Sequence, residues 1–261
     1  MTQFQTLAFA VTDRIARITL SRPDSGNAIN PDLARELAEA ALACSNDPAV
    51  KVVLIAARGK MFCSGGDLKA FTSFGDETSV RVKAMADDLH KALSLLARMS
   101  APVVVAVNGA AAGAGFSLAI AGDIVLAGRS AKFTMAYTAA GLSPDGGATY
   151  HLPRLVGIRR AHELALTNRV LSAEQAAEWG LITRVVADDD LDEEALAVCR
   201  TIAAGPAAAH AVTKRLLLES LHNSLETQTE LEGREIARAA GSADGIEGVR
   251  AFVEKRRPNF K

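Results

Sequence analysis

Cysteine is scarce and unpatterned. Cys44, Cys63 and Cys199 are odd in number, far apart and in no CxxC arrangement. That excludes a disulfide framework and fits a reducing compartment. The five histidines are scattered, with no HxxxH or HExxH spacing, so nothing nominates a metal centre. Net charge is nearly absent: 29 Lys and Arg against 30 Asp and Glu leave −1. A general nucleic-acid or anionic-membrane surface is therefore not expected. Aromatic residues are only 5%, and no basic stripe interleaves with them, which speaks against RNA. The N-terminal MTQFQTLAFAVTDR has neither a basic lead nor a long apolar core, so no signal peptide is expected and the cytoplasm is the expected location. Internal repeats and low-complexity linkers are missing as well.

What is present is an ordinary globular mixture, 49% hydrophobic and 23% charged in 261 residues. It suits one large domain, or a domain with an appendage. The chain is organised around Pro102–Ala127. A β-branched apolar run, Val103 to Val107, reads as a strand buried on both faces. Asn108-Gly109 makes a turn, and Ala110 to Gly115 are all very small. Phe116 to Ala121 reads as a helix and Ile124 to Ala127 as a second strand. Small residues let backbone approach closely, and a helix opening there aims unpaired N–H groups outward. An oxyanion or anion site at this strand-to-helix corner is one reading. Tight packing without a ligand is another. The spacing fits neither a dinucleotide fingerprint nor a P-loop. Asn108, four glycines and the β-branched run argue against a transmembrane span.

Taken in order, Ile15–Leu20 and Val52–Ala56 read as strands. A helix is expected from Asn30 as N-cap and Pro31 at its first position, burying Leu33, Leu37, Ala40, Ala41 and Cys44. Ser64-Gly65-Gly66 is a second small-residue corner, with a helix start at Asp67. Residues 72–82 are polar and read as a loop, followed by a helix to Met99 that buries Met85, Leu89, Leu93 and Leu96. A short strand falls at Lys132–Met135 and one helix over His151–Leu166. Ser172 and Gln175 form a capping box for a helix that ends at Trp179-Gly180. The alternation implies parallel βαβ units, so the fold class is α/β. Residues 1–190 make the α/β core and residues 191–261 a helical C-terminal region. Cys63 is expected to be buried filler and Trp179 helix-face packing.

The pairing of FCSGGDL (62–68) with VNGAAAGAGFSLAIAGDI (107–124) closely resembles the enoyl-CoA hydratase/isomerase, or crotonase, superfamily. RPDSGNAIN, PDGGATYHLPRLVG, SAEQAAEWGLITRVV and FVEKRRPNF extend the likeness from near residue 10 to the C-terminus. The resemblance implies a ββα spiral core and a C-terminal helical trimerisation region, in a homo-trimer or a dimer of trimers. It implies an acyl-CoA thioester substrate and no cofactor beyond the coenzyme A that the substrate carries. It implies an oxyanion hole from the N–H groups of Gly66 and Ala114, which would hold a thioester enolate. CoA contacts are expected from Arg22, Ser64, Lys69, Lys255 and Phe252, with Arg256 and Phe260 beside them. Any of these charges can equally be plain surface charge. Leu68, His90, Met135, Tyr137 and Leu142 are expected to line the acyl pocket.

Which reaction follows depends on three positions. Hydratases of the superfamily place water-activating glutamates where this chain has Ser117 and Tyr137. Asp145 remains. It aligns with the aspartate of dienoyl-CoA isomerases, of the epoxyphenylacetyl-CoA isomerases of phenylacetate breakdown and of 4-chlorobenzoyl-CoA dehalogenase. GLSPDGGATYHLPRLVG is most like the phenylacetate-pathway isomerases. The expectation is a double-bond or ring-epoxide isomerase, with Asp145 as proton shuttle. The residues alone also allow Pro144-Asp145-Gly146 as a mere turn. Hydration stays as an alternative. A dehalogenase-like route would use Asp145 as nucleophile and His90 as base. A non-catalytic or RNA-binding relative is the reading from another class.

Overall fold

The computed structural model describes residues 4–260. Residues 1–3 and 261, the outermost ends of the two expected regions, lie outside the described residues. The first strands are β1 (Leu7–Thr12) and β2 (Ile15–Leu20), paired antiparallel. Helix α1 (Pro31–Asn46) opens as expected: the Asn30 side chain accepts from Leu33 N at 2.9 Å, and Pro31 takes the first turn. After β3 (Val52–Ala57) come α2 (Leu68–Ser73), a 3-10 turn at Gly75–Glu77 and the long α3 (Thr78–Arg98). The expected loop at 72–82 is therefore mostly helical. Its polar composition masked hydroxyl contacts to backbone, such as Thr78 Oγ1 to Gly75 O at 2.6 Å.

The organising stretch becomes β4 (Val103–Val107), β5 (Ala110–Ala112), α4 (Ala114–Ile120) and β6 (Ile124–Gly128). Then follow β7 (Lys132–Thr134), α5 (Ala148–Val156) and α6 (Ile158–Thr167). One helix was expected over 151–166; Gly157, at φ +81°, splits it. After β8 (Leu171–Ser172), α7 (Ala173–Glu178) carries the expected capping box. The chain ends with β9 (Arg184–Val186) and four helices, α8 (Leu191–Ala203), α9 (Ala207–Glu219), α10 (Leu225–Ala240) and α11 (Ala243–Val253).

Six strands form the main sheet in the order β1-β2-β3-β4-β6-β9, parallel from β2 onward. A smaller sheet has the order β5-β7-β8. Consecutive pairs β4–β5 and β6–β7 each step from the main sheet to the small one and are followed by a helix. That is the expected ββα repeat.

Both faces of the main sheet are covered, which is why its central strands are apolar throughout. Val53 and Ile55 of β3, with Val103, Val105 and Val107 of β4, join the larger core beneath α1 and α3. Val52, Leu54, Val104 and Ala106 point the other way, onto Leu191, Ala195, Cys199 and Ala203 of α8. So α8, although it follows residue 190, is a covering layer of the α/β core. Helices α9–α11 lie outside that layer, and α8 and α9 meet at 106°. No single helix among the described residues is long and apolar enough to cross a membrane.

Candidate active site

Two small-residue corners meet by backbone. Cys63 N donates to Ala110 O (3.1 Å) and Ala112 N to Cys63 O (2.9 Å), so the segment after β3 is pinned to β5. On its other side Ile29 N donates to Gly65 O (2.7 Å) and Asp67 N to Ile29 O (2.8 Å). Ile29 thereby uses the outer bonding positions, and the N–H of Gly66 turns away from it. Gly65 (φ +105°) and Gly113 (φ +52°) face each other, and a Cβ on Gly65 would sit 3.0 Å from Ala112 O. Both positive φ values favour glycine. Ala114 is the first residue of α4 and has no intrahelical acceptor for its N–H. Neither Gly66 N–H nor Ala114 N–H donates to a carbonyl among the described residues. The two expected donors are thus free and lie on abutting corners. Phe71 of α2 packs over Gly66 (a Cβ there would be 3.1 Å from its ring), a neighbour that carried no signal in the sequence.

The side chains gather next to these corners. Gly113 N donates to Thr134 O at 3.2 Å, tying it to β7 and the Met135–Tyr137 turn that follows. Ala136 there has φ +52°, in a region non-glycine residues rarely adopt. The Tyr137 hydroxyl donates to Asp145 Oδ1 at 2.7 Å. Ser117 Oγ lies 2.8 Å from the same hydroxyl and 2.9 Å from the Asp145 carbonyl oxygen, to which it donates. Ser117 is fully buried and Tyr137 nearly so. Burial first, and then the Asp145 carboxylate, push the Tyr137 phenol well above its ordinary value, so it remains a proton donor. Gly146, at φ +62°, stands against Ser117 Cβ and makes the turn that presents Asp145.

His90, on α3, half-exposed, reaches the same turn. Its Nε2 accepts from Gly146 N at 3.1 Å and lies 3.5 Å from Asp145 Oδ2. A nitrogen that accepts carries no proton, so the ring is the Nδ1–H tautomer in this arrangement. Oδ1 is held by Tyr137, and Oδ2 has no hydrogen bond among the described residues. The carboxylate side chain is one-third exposed.

The remaining expected residues are less uniformly placed. Met135 is buried beside the Gly113 corner, whereas Leu68 and Leu142 are exposed, at 50% and 41%. Lys69 is exposed on α2 and Ser64 sits at the Cys63–Gly65 corner, beside Gly26. Arg22 is committed elsewhere. Its guanidinium donates to the Ala28 carbonyl and pairs with Asp67 at 3.1 Å, with 19% of the side chain exposed. Phe252, 86% exposed, and Lys255 stand at the end of α11, and no described contact joins them to the site within one chain. Phe260 packs on Gly248 instead. Arg256 pairs with Glu247 and Glu254. Cys63 is fully buried, with its thiol pushed up to about 12 by burial, and is inert filler. Trp179 lies between the guanidinium groups of Arg160 and Arg169, 4.5 and 4.9 Å from its ring.

Residues 11–261 match the family described as enoyl-CoA hydratase/isomerase. The chain is 41% identical to 1,2-epoxyphenylacetyl-CoA isomerase of Escherichia coli K12, over 94% of both chains. It is also 41% identical, over 98% of both chains, to a Rhodobacter capsulatus protein described as a probable enoyl-CoA hydratase. The solved enoyl-CoA hydratase of Polaromonas sp. JS666 matches with a TM-score of 0.93 and 34% identity, covering 98% of this chain and 99% of that one. The two sheets and C-terminal helices are those of the crotonase fold. Over nearly its whole length, this chain belongs to the enoyl-CoA hydratase/isomerase family.

Proposed function

We propose that the protein is an acyl-CoA isomerase in which Asp145 moves a proton along the acyl chain. The observation that carries this reading is the state of the Asp145 carboxylate. One oxygen is occupied by Tyr137, the other is unbonded, and the two positions that hold glutamates in the hydratases are the neutral Ser117 and Tyr137. A single free basic oxygen suits removal and return of one proton.

With a 3-enoyl thioester, Asp145 Oδ2 takes the proton from C2. The C–H electron pair moves into the thioester and makes an enolate. The Gly66 and Ala114 N–H groups stabilise charge that develops on the thioester oxygen only at that stage, each donor contributing about 3 kcal/mol. Oδ2 then returns the proton at C4, and the double bond ends between C2 and C3. No electrons are gained or lost. A ring epoxide would use the same hole and the same carboxylate. Coenzyme A enters as part of the substrate, and the chain acts as a trimer or a dimer of trimers.

The test is a panel of CoA thioesters (3-enoyl, 2-enoyl, dienoyl, ring-epoxide and chlorobenzoyl) with product identification. Isomerised product and no hydrated product is the expected outcome. A 3-hydroxyacyl product from the 2-enoyl thioester would instead make the protein a hydratase. The closeness of His90 Nε2 to Asp145 Oδ2 supports a second reading, the dehalogenase-like hydrolase. Its weakness is that the Nε2 lone pair is already engaged by Gly146 N–H. Chloride release from 4-chlorobenzoyl-CoA would decide for it.

A further inference from the structure

The peptide link that follows Asp145 is held at both ends by side chains. Its carbonyl oxygen accepts from Ser117 Oγ of α4 at 2.9 Å and from Ala148 N at 3.2 Å. Its N–H, that of Gly146, donates to His90 Nε2 of α3 at 3.1 Å. Gly146 has little room to turn otherwise, since a Cβ on it would lie 2.8 Å from Ser117 Cβ. The plane of this one peptide sets the direction in which the Asp145 side chain leaves the backbone. Tyr137 then fixes Oδ1. Of the three supporting side chains, only the imidazole is of a type that changes charge between about pH 5 and 8.

The second neighbour of Nε2 gives such a charge change a consequence. Nε2 lies 3.5 Å from Asp145 Oδ2, and Asp145 is the only carboxylate paired with His90 among the described residues. While the nitrogen is bare, it and Oδ2 are both acceptors and cannot bond, so Oδ2 stays open. With a proton on Nε2, the acceptor for Gly146 N–H is gone and a charge-assisted donor faces Oδ2 instead. One proton thus releases the peptide and occupies the basic oxygen. The other charged groups around the ring are placed differently. On α3, Asp87 is paired with Lys83, and Lys91 is exposed. Across the cavity that His90 shares with α5 and α9, His222 is bonded to Tyr150, Arg215 to Glu219 and Lys214 to Asp123, while His151 and Arg98 complete the wall.

We propose that His90 is a positioning residue for Asp145: its unprotonated Nε2 holds the Gly146 peptide and leaves Oδ2 open, and a proton added there withdraws the base. The proposal deepens the isomerase reading and rests on it for its effect on turnover. It gives His90 no proton transfer with substrate, which sets it apart from the hydrolase scheme.

Two variants separate the parts. In His90→Gln the amide oxygen reaches about as far as Nε2 and accepts, but gains no proton in this pH range; in His90→Leu the bulk stays and nothing accepts. With 3-octenoyl-CoA near pH 8, His90→Leu should lose about tenfold or more in kcat with KM within about twofold, and His90→Gln should recover most of that loss. Wild-type kcat/KM should fall as pH drops from about 8 to about 5, and in His90→Gln the fall should be absent or at least about one pH unit lower. Acid loosening of the fold is common to both and cancels in the comparison. A second readout needs no turnover. In a long-range proton–nitrogen correlation spectrum near pH 8, the imidazole signals that vanish in His90→Gln should show hydrogen on Nδ1 and a bare Nε2. The Gly146 amide should exchange with solvent at least about tenfold faster in His90→Leu than in the wild type. An Nε2–H tautomer, or a pH profile that His90→Gln leaves unchanged, overturns the proposal. If the wild type fails to isomerise 3-octenoyl-CoA while tautomer and exchange are as stated, the isomerase reading falls and His90 stands as the holder of the turn.

Discussion

Asp145 has two oxygens in unequal circumstances, and the proposed chemistry rests on that inequality. Tyr137 holds Oδ1 through a phenol that burial keeps protonated, and Ser117 anchors both the phenol and the Asp145 backbone. Replacing Asp145 by Asn keeps the shape and removes the proposed base. Isomerase turnover should fall by about 10²- to 10⁴-fold while CoA-thioester affinity changes little. Undiminished turnover would remove Asp145 from the mechanism. Tyr137→Phe keeps the ring and deletes one donor. It frees the carboxylate to rotate, so a deuterium taken from C2 should reach the product carbon less often and appear more often in solvent. Product mass spectrometry reads this directly. Stability should drop by about 1–2 kcal/mol, because Ser117 and Asp145 each lose a buried partner. In the sequence, Ser117 spoke only through what it was not. Its part in orienting Tyr137 required the turn at Ala136 to be seen.

Among the elements, those with a periodic apolar pattern were legible before any coordinates. The faces of α1 and α3, the double-sided strands β3 and β4, and the capping box of α7 all lie where their residues place them. The unreadable ones owe their form to pairing. Strand β5 is three alanines, which have no strand preference of their own; β7 and Cys63 hold it extended. Edge strand β1 shows no alternation because its second half is exposed. At the candidate site, the two small-residue corners could be located from the sequence, but the cover by Phe71 and the engagement of Arg22 by Asp67 could not. The second joins segments distant in sequence, and the first depends on how α2 folds back over Gly66.

The corner itself is intolerant of bulk. A Cβ on Gly115 would collide with the Cys63 carbonyl, so Gly115→Ala should cost about 1–3 kcal/mol in a urea melt and weaken binding of an enolisable thioester such as acetoacetyl-CoA. Helix α1 makes a separate demand. Burial raises the carboxyl of Glu36, but bonds from Thr6 Oγ1 (2.6 Å), Gln5 N and Thr6 N outweigh it, and the net direction is down. Glu36→Gln should lose about 1–3 kcal/mol at neutral pH and less in acid, read from the same melts.

At the scale of the whole molecule, acid should loosen the fold in two stages. Burial lowers His151 and His210, the latter with an Nδ1 that has no partner. Their native values lie below 6.5, so their contribution is complete above pH 6.5 and is lost as pH falls through those native values. Glu36 joins below 4.5, by the same sign. Urea midpoints should therefore decline from about pH 7.5 to about pH 5, and His210→Gln should flatten the decline. A midpoint that rises towards acid would contradict the assignment.

The seam between Gly65 and Gly113 bears on how such a molecule can change over time. The spacing of the Gly66 and Ala114 N–H groups is fixed by main-chain ladders, Cys63 to Ala110 and Ala112 on one side and Ile29 to Gly65 and Asp67 on the other. The proposed chemistry beside them is written separately, in side chains at 117, 137 and 145. Frame and inscription are carried by different atoms. Mutation can therefore rewrite the reaction or the acyl group it accepts without disturbing the frame, and a lineage built on this chain is free to diversify its substrates first and its stability last.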